Sequence, residues 1–241
     1  MAGAAVFLST LGCPCRIVHV TDGAPRSGDF AHRAGCGNWQ EYAALRRAEF
    51  EKAVASAGIA ADVACLDCPD LQAAWRISEH ADRLADFFEQ LNDATVFTHA
   101  YEGGHPDHDA TAAAVHAALH LARKRPKVFE FAGYHAGAGM EFECFLGEED
   151  SPETHWPYRP LTPAERDFKR AVLHQFGSQA TVLSQYPLVY EPLRIAPAYD
   201  FSQPPHAGRL YYEHFDWGLD GDKWRNLAVK AFRERGVPPV C

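Results

Sequence analysis

The sequence predicts an α/β fold built on a mostly parallel sheet, and three observations lead there. Short β-rich runs at 15–21, 63–66, 95–99 and 128–131 alternate with helix-period segments at 39–57, 78–91 and 109–124. That alternation is the pattern of βαβ units. The Gly- and His-bearing loops follow the strand ends, where ligands bind in such sheets. Finally, 241 residues with 47% hydrophobic and 23% charged side chains suffice for one domain with a sizeable core.

Taken in order, residues 2–11 read as a short helix stopped by Gly12. The run Cys15–Thr21 reads as a strand, ended by the turn-forming Asp22-Gly23. Residues 24–38 read as a loop whose length suggests a functional role. The segment 39–57 is helical, with Tyr42, Leu45, Phe50, Val54 and Ala57 apolar and Gly58 closing it. A short strand over Val63–Leu66 leads to Cys68-Pro69-Asp70. In the helix at 78–91, Ala81, Leu84, Phe87, Phe88 and Leu91 share a face with Ile77 just before it. The strand Thr95–His99, a Gly-rich loop over 101–107, an Ala-rich helix over 109–124 and a strand over Val128–Phe131 follow.

Residues 147–163 read as loop, 163–183 as one helix, 186–215 as a Pro- and aromatic-rich stretch, and 222–235 as a closing amphipathic helix. A parallel α/β chain normally opens with a strand, and this one opens with a helix. Either the strand feeding that helix is missing, or the domain begins with a helix. No linker divides the chain, so residues 1–241 read as a single domain with 147–241 as a C-terminal elaboration.

A net charge of −9 makes nucleic acid a poor partner. No stretch reaches the roughly 20 apolar residues of a membrane span, and a cytoplasmic location is expected. Cys13, Cys15, Cys36, Cys65, Cys68, Cys144 and Cys241 have irregular spacing and read as free thiols.

The chemistry concentrates in Gly103-Gly104-His105-Pro106-Asp107-His108-Asp109. Two imidazoles and a carboxylate follow a Gly-Gly that lets the backbone approach a ligand. The next helix directs its N-terminal N–H groups to the same place. Metal-assisted hydrolysis calls for such a set, with imidazole as ligand and an acid/base group beside it. The alternative is that His105 and His108 accompany a helix start with Asp109 as N-cap.

At these residues the chain resembles the PIG-L, or LmbE-like, de-N-acetylases. Their second motif is similar to Gly104-His105-Pro106-Asp107-His108. The resemblance extends to Val20-Thr21-Asp22-Gly23, to Arg46-Arg47-Ala48-Glu49, to Leu66-Asp67-Cys68-Pro69-Asp70, and to Phe168-Lys169 through Gly177-Ser178-Gln179. It implies a Rossmann-like three-layer α/β/α fold, a Zn²⁺ cofactor and removal of an N-acetyl group from an amino sugar or sugar conjugate.

By position it implies His108 as a metal ligand, His105 as the residue near the scissile carbonyl and Asp107 as its supporting carboxylate. Arg46 corresponds to a substrate-side arginine, or else forms a salt bridge to Glu49 or Asp22. Asp22 is a further candidate for substrate contact, or simply part of an Asp-Gly turn.

The family's first motif, H-P-D-D-E, does not occur in this sequence. It would supply two of three zinc ligands and the general base. The expectation is therefore that Met1 is an internal methionine, that the first strand and motif lie upstream, and that the chain as it stands is inactive or poorly soluble. Upstream DNA tests this: an in-frame stop close before Met1 would defeat it.

His116 and His120, four residues apart, read as a solvated or groove-lining pair lacking a third ligand, and His135 reads as plain loop in preference to a pocket-lining residue. Trp217 and Trp224 read as core rather than as sugar platforms, while Pro204-Pro205-His206 and Tyr211-Tyr212-Glu213 shape a substrate wall or simply pack. Two other functions compete with deacetylation: a non-catalytic carbohydrate-binding relic, and a metal phosphohydrolase, which would need more His and Asp ligands.

Overall fold

The computed structural model describes residues 5–10, 12, 14–137, 140–146 and 160–240. Of the loop expected over 147–163, residues 147–159 lie outside them. The α/β expectation holds: helices alternate with strands, and two of the strand pairs are parallel. The chain divides into two compact units, one comprising 1–70 and 157–191, the other 71–156 and 192–241.

In the first unit, β1 (Cys15–Pro25) pairs in parallel with β2 (Ala61–Asp70). Both strands outrun the sequence reading, because Thr21 still pairs with Cys68 and Pro25 with Asp70. Register shifts between these pairs absorb the Asp22-Gly23 dipeptide, where Gly23 takes φ 69°. The first helix is present as α1 (Ala5–Thr10), and its Val6 and Phe7 N–H groups donate to the Glu191 carboxylate.

The expected loop at 24–38 contains a short helix, α2 (Asp29–Arg33). Asn38 caps α3 (Trp39–Ser56) by accepting from Glu41 N–H. Two helices of the second unit, α4 (Ile77–Gln90) and α5 (Pro106–Leu121), come next in the chain. Back in the first unit, a capping box of Thr162 and Glu165 starts α6 (Pro163–Leu173). Ala5, Ala53, Ala57 and Val172 form the core where α1, α3 and α6 meet.

The single helix expected over 163–183 is broken. After Leu173 the chain passes through a 3-10 turn at Gly177–Gln179 into α7 (Ala180–Leu183). At the break sits a contact distant in sequence: the Glu49 carboxylate accepts from the N–H and hydroxyl of Ser178, at 2.7 and 2.6 Å. Lys169 is fully buried, and its ammonium donates to the Tyr190 carbonyl at 2.8 Å. Lys169 and Ser178 of the K…SQ segment therefore take these polar partners, the Tyr190 carbonyl and Glu49, from outside the segment.

In the second unit, a 3-10 turn (Ala73–Arg76) leads into α4. The three-stranded sheet runs β3 (Thr95–His99), β4 (Lys127–Phe131) and β7 (Leu193–Ile195), with β3–β4 parallel and β7 antiparallel. A two-residue hairpin, β5 (Tyr134–His135) with β6 (Glu141–Phe142), follows β4. Neither β7 nor the hairpin is expected from sequence, being too short for a periodic signal.

The Ala-rich helix α5 begins at Pro106, three residues earlier than expected. Its N-cap is His105, not Asp109, and Pro106 takes the first helical position, which needs no N–H donor. Alanines at 110, 112, 113, 114, 117 and 118 are all buried, so small side chains let α5 be enclosed on every side. Against it packs α8 (Gly221–Glu234), with Trp224, Ala228 and Phe232 buried and the Trp224 indole N–H donating to the Pro106 carbonyl.

Among the described residues, no disulfide joins Cys15, Cys36, Cys65, Cys68 and Cys144 to one another. No helix of the described residues is long and apolar enough to cross a membrane.

Candidate active site

Strand β3 ends at His99, and the chain turns through Ala100–Gly104 into the N-terminus of α5. The parallel neighbour β4 ends beside it at Phe131, followed by Gly133 and Tyr134. The site thus lies beyond the carboxyl ends of adjacent parallel strands.

Two glycines make the turn. Gly103 has φ 73°, and a Cβ on Gly104 would fall 1.8 Å from the Tyr134 carbonyl oxygen. No side chain fits at the second position. The loop is held from within, since Asp109 Oδ1 accepts from the N–H groups of Glu102 and Gly103 at 3.1 and 3.2 Å.

His105 Nδ1 accepts from Asp107 N–H at 3.2 Å. This places the proton of a neutral ring on Nε2. His108 stacks on His99, with centroids 3.9 Å apart and planes at 8°, and lies 4.9 Å from His105. Burial lowers the pKa of both: His99 to about 3 and His108 well below the ordinary value, each helped by neighbouring histidines. Both rings are therefore neutral near pH 7, and Nδ1 of each is buried without a partner.

Glu102 and Asp109 do not stand out in the sequence as site residues, yet they are the buried carboxyls of the site. Glu102 Oε1 accepts from Gly133 and Tyr134 N–H at 2.8 and 3.0 Å, while its Oε2 has no partner. Burial, and next the adjacent Asp109, raise its pKa well above the carboxylate range. Burial raises Asp109 to about 7 against the two backbone bonds it accepts. A Cβ on Gly133 would lie 2.6 Å from Glu102 Oε1 and 3.5 Å from His108 Nδ1, so both groups crowd this glycine. The available signal is a Glu between apolar Tyr101 and Gly-Gly, in a loop otherwise free of charge before His105.

The Asp107 carboxylate accepts from the backbone N–H groups of Leu71 and Ala73 at 2.6 and 3.0 Å. It ties the start of α5 to the turn preceding α4. In the first unit, Arg46 pairs with Glu49 at 3.5 Å and reaches Ser178 Oγ at 3.4 Å, its Nε packed over Gly23. Asp22 is engaged by Arg26 at 2.6 Å and by Ala24 N–H at 3.0 Å. Of the two ion pairs expected for Arg46, the one with Glu49 forms.

Zinc in a hydrolytic site commonly takes three protein ligands. His108 offers a neutral imidazole with a bare nitrogen, but no group of three His, Cys, Asp or Glu side chains among the described residues could hold a metal ion. They do not by themselves complete such a set.

His120 Nδ1 donates to the His116 carbonyl at 3.2 Å, and the His116 ring packs on Tyr199 and Phe201. His135 is fully buried, bonded to the Cys144 carbonyl and Gly137 N–H. Trp224 is core, as expected. Trp217 is not: it is half-buried, 5.3 Å from the His105 ring.

The family model described as GlcNAc-PI de-N-acetylase, PIG-L, matches residues 1–119. Three solved structures share the fold at low identity. A triple-mutant deacetylase of the teicoplanin biosynthetic pathway is 16% identical, with a TM-score of 0.54 and coverage of 77% of this chain and 78% of that one. A zinc-inhibited form of teicoplanin deacetylase is 14% identical, with a TM-score of 0.52 and coverage of 76% and 80%. A conserved protein of Thermus thermophilus is 17% identical, with a TM-score of 0.50 and coverage of 80% and 86%. No curated protein sequence matches the chain. Residues 1–119, just under half of the chain, are thus similar to the PIG-L family, and the chain shares the α/β fold of these solved structures.

Proposed function

We propose that this protein is a hydrolase that removes an N-acetyl group from an amino sugar or sugar conjugate, with zinc as its cofactor and His108 as one ligand. The supporting observation is the cluster of neutral His99 and His108 and the Nδ1-anchored His105, packed beyond the ends of β3 and β4. The PIG-L match and the teicoplanin deacetylase neighbours point to the same bond. Zinc is named in the inhibited form of one neighbour.

His105 is assigned to the amide carbonyl. Its Nδ1 accepts from Asp107 N–H, which puts the proton on Nε2, and Nε2–H is the donor assigned to a developing oxyanion. Asp107 acts through the backbone: its N–H fixes the His105 tautomer while its carboxylate fixes the preceding turn. Arg46 and Asp22 remain proposed substrate contacts, and the whole of 1–241 is read as one deacetylase domain.

A binding-only relic is the second reading, favoured by the absence of a three-ligand cluster among the described residues. The two separate on acetate release from N-acetylglucosaminyl substrates, measured with the full-length protein after zinc titration. Zinc-dependent release, abolished by His108→Ala, supports the enzyme. Saccharide binding with no acetate release at any zinc level supports the relic.

A further inference from the structure

Six aromatic rings close a circuit around the site. From His108 the contacts run to Tyr134 at 5.8 Å, on to Tyr211 at 5.3 Å, Phe215 at 5.2 Å, Trp217 at 4.6 Å, His105 at 5.3 Å, and back to His108 at 4.9 Å. Tyr211, Phe215 and Trp217 lie beyond the 1–119 segment that matches the family.

We propose that Trp217 and Phe215 form two adjoining sugar subsites: Trp217 holds the pyranose that bears the reacting N-acyl group, and Phe215 holds the next residue of the conjugate. This presupposes that the site hydrolyses an N-acyl sugar, and it makes the preferred substrate a glycoside rather than a free monosaccharide.

Exposure separates these rings from the core. Trp224, Tyr212 and Phe201 are wholly buried, whereas Phe215 is 40% exposed and Trp217 half-buried. The two rings stack at 13°, with Trp217 touching His105 and Phe215 open to solvent. The C–H faces of a pyranose suit the negative face of an aromatic ring, while its hydroxyls need polar groups at the edge. His214 and Asp216, both exposed, alternate with the aromatics and supply them. An acyl chain or lipid would have no use for that alternation.

The segment is also anchored. Tyr211 N–H donates to the Gly103 carbonyl at 2.9 Å, and Glu213 accepts from Leu210 and Gly221 N–H at 2.9 and 2.7 Å. The platform is thereby fixed to the loop that carries His105, as a preorganised subsite requires.

The test is a binding titration, followed by ligand NMR on metal-free full-length protein, with two probes. One is N-acetylglucosamine; the other is a disaccharide that carries it as the terminal residue. The disaccharide is expected to bind more tightly. Trp217→Ala should weaken both probes about tenfold, and Trp217→Phe should restore most of the loss. Phe215→Ala and Phe215→Leu should each reduce the disaccharide to the affinity of the monosaccharide and leave the monosaccharide unchanged.

Equal affinity of the two probes for the wild type, unchanged affinity in the variants, or no binding by the wild type each overturns the subsites. Failure of the deacetylase reading is distinguishable, because the affinity pattern would persist while zinc-loaded protein released no acetate.

Discussion

The imidazoles of His99 and His108 lie face to face, 3.9 Å between centroids, one from the end of β3 and one from the first turn of α5. The stack joins strand to helix across the Gly103-Gly104 turn, so the ring at 99 supports the ring at 108 by packing. His99→Phe keeps an aromatic of similar size there and is expected to change stability by less than about 1.5 kcal/mol. His99→Ala leaves a void and should cost about 2–4 kcal/mol. Urea unfolding at pH 7 measures both. Equal stability of the two variants would show that the stack bears no packing load.

The second prediction concerns pH. Burial holds His19, His80 and His116 at about 4 in the folded protein, against 6.5 in the unfolded chain. Neither ring nitrogen of His80 has a partner. As pH falls below 6.5 the unfolded chain takes up protons that the native state refuses. Stability is therefore complete above pH 6.5 and declines toward pH 4, by up to about 1.4 kcal/mol per pH unit for each such histidine. Replacing His80 with Leu should flatten this slope in urea titrations between pH 7 and 4.5. An unchanged slope would mean that His80 is protonated in the fold.

The third is steric. Gly104→Ala drives a Cβ into the Tyr134 carbonyl, a backbone atom that cannot rotate away. The expected loss is about 3 kcal/mol or more, seen as a large fall in thermal midpoint. Gly208→Ala is the comparison: its φ is 85° but nothing lies within 4 Å. Only the left-handed backbone strain of roughly 1–2 kcal/mol should appear.

The fourth separates charge from hydrogen bonding at Glu102. Its carboxyl is pushed toward the neutral form, and Oε1 accepts two backbone N–H groups. Glu102→Gln keeps that acceptor and should stay within about 1 kcal/mol of wild type at pH 7. Glu102→Ala strands the N–H groups of Gly133 and Tyr134 and should lose about 2–4 kcal/mol. Amide exchange at residues 133 and 134 would rise in the second variant only.

Much of this was legible in the sequence. The helices expected over 39–57 and 78–91 declare themselves by period and form over 39–56 and 77–90, and the strand at 95–99 falls where its β-rich run lies. Gly-Gly-His-Pro-Asp-His singled out the candidate site because turn chemistry and imidazoles coincide there. What was hidden depends on distant partners. Nothing local in Phe168–Leu183 reveals that Glu49 will capture Ser178 and interrupt the helix. Trp217 looks like any core tryptophan until the fold sets it against His105. Glu102 and Asp109 look like loop and cap residues until burial makes their charge expensive.

The last prediction asks whether Asp107 serves the fold or the reaction through His105. Its two oxygens each accept one backbone N–H, from Leu71 and Ala73. Asp107→Asn preserves the shape but can offer an acceptor to only one of them. Its NH₂ group would confront the other N–H, a donor against a donor. The expected loss is about 1.5–3 kcal/mol in urea unfolding, with faster amide exchange at residue 71 or 73. The His105 tautomer is set by the backbone N–H of Asp107, which the substitution leaves in place. Under saturating zinc and substrate, at a temperature where the variant is folded, kcat should therefore stay within about threefold of wild type. Unchanged stability with kcat reduced a hundredfold would reverse the assignment, making the carboxylate a direct partner of the chemistry.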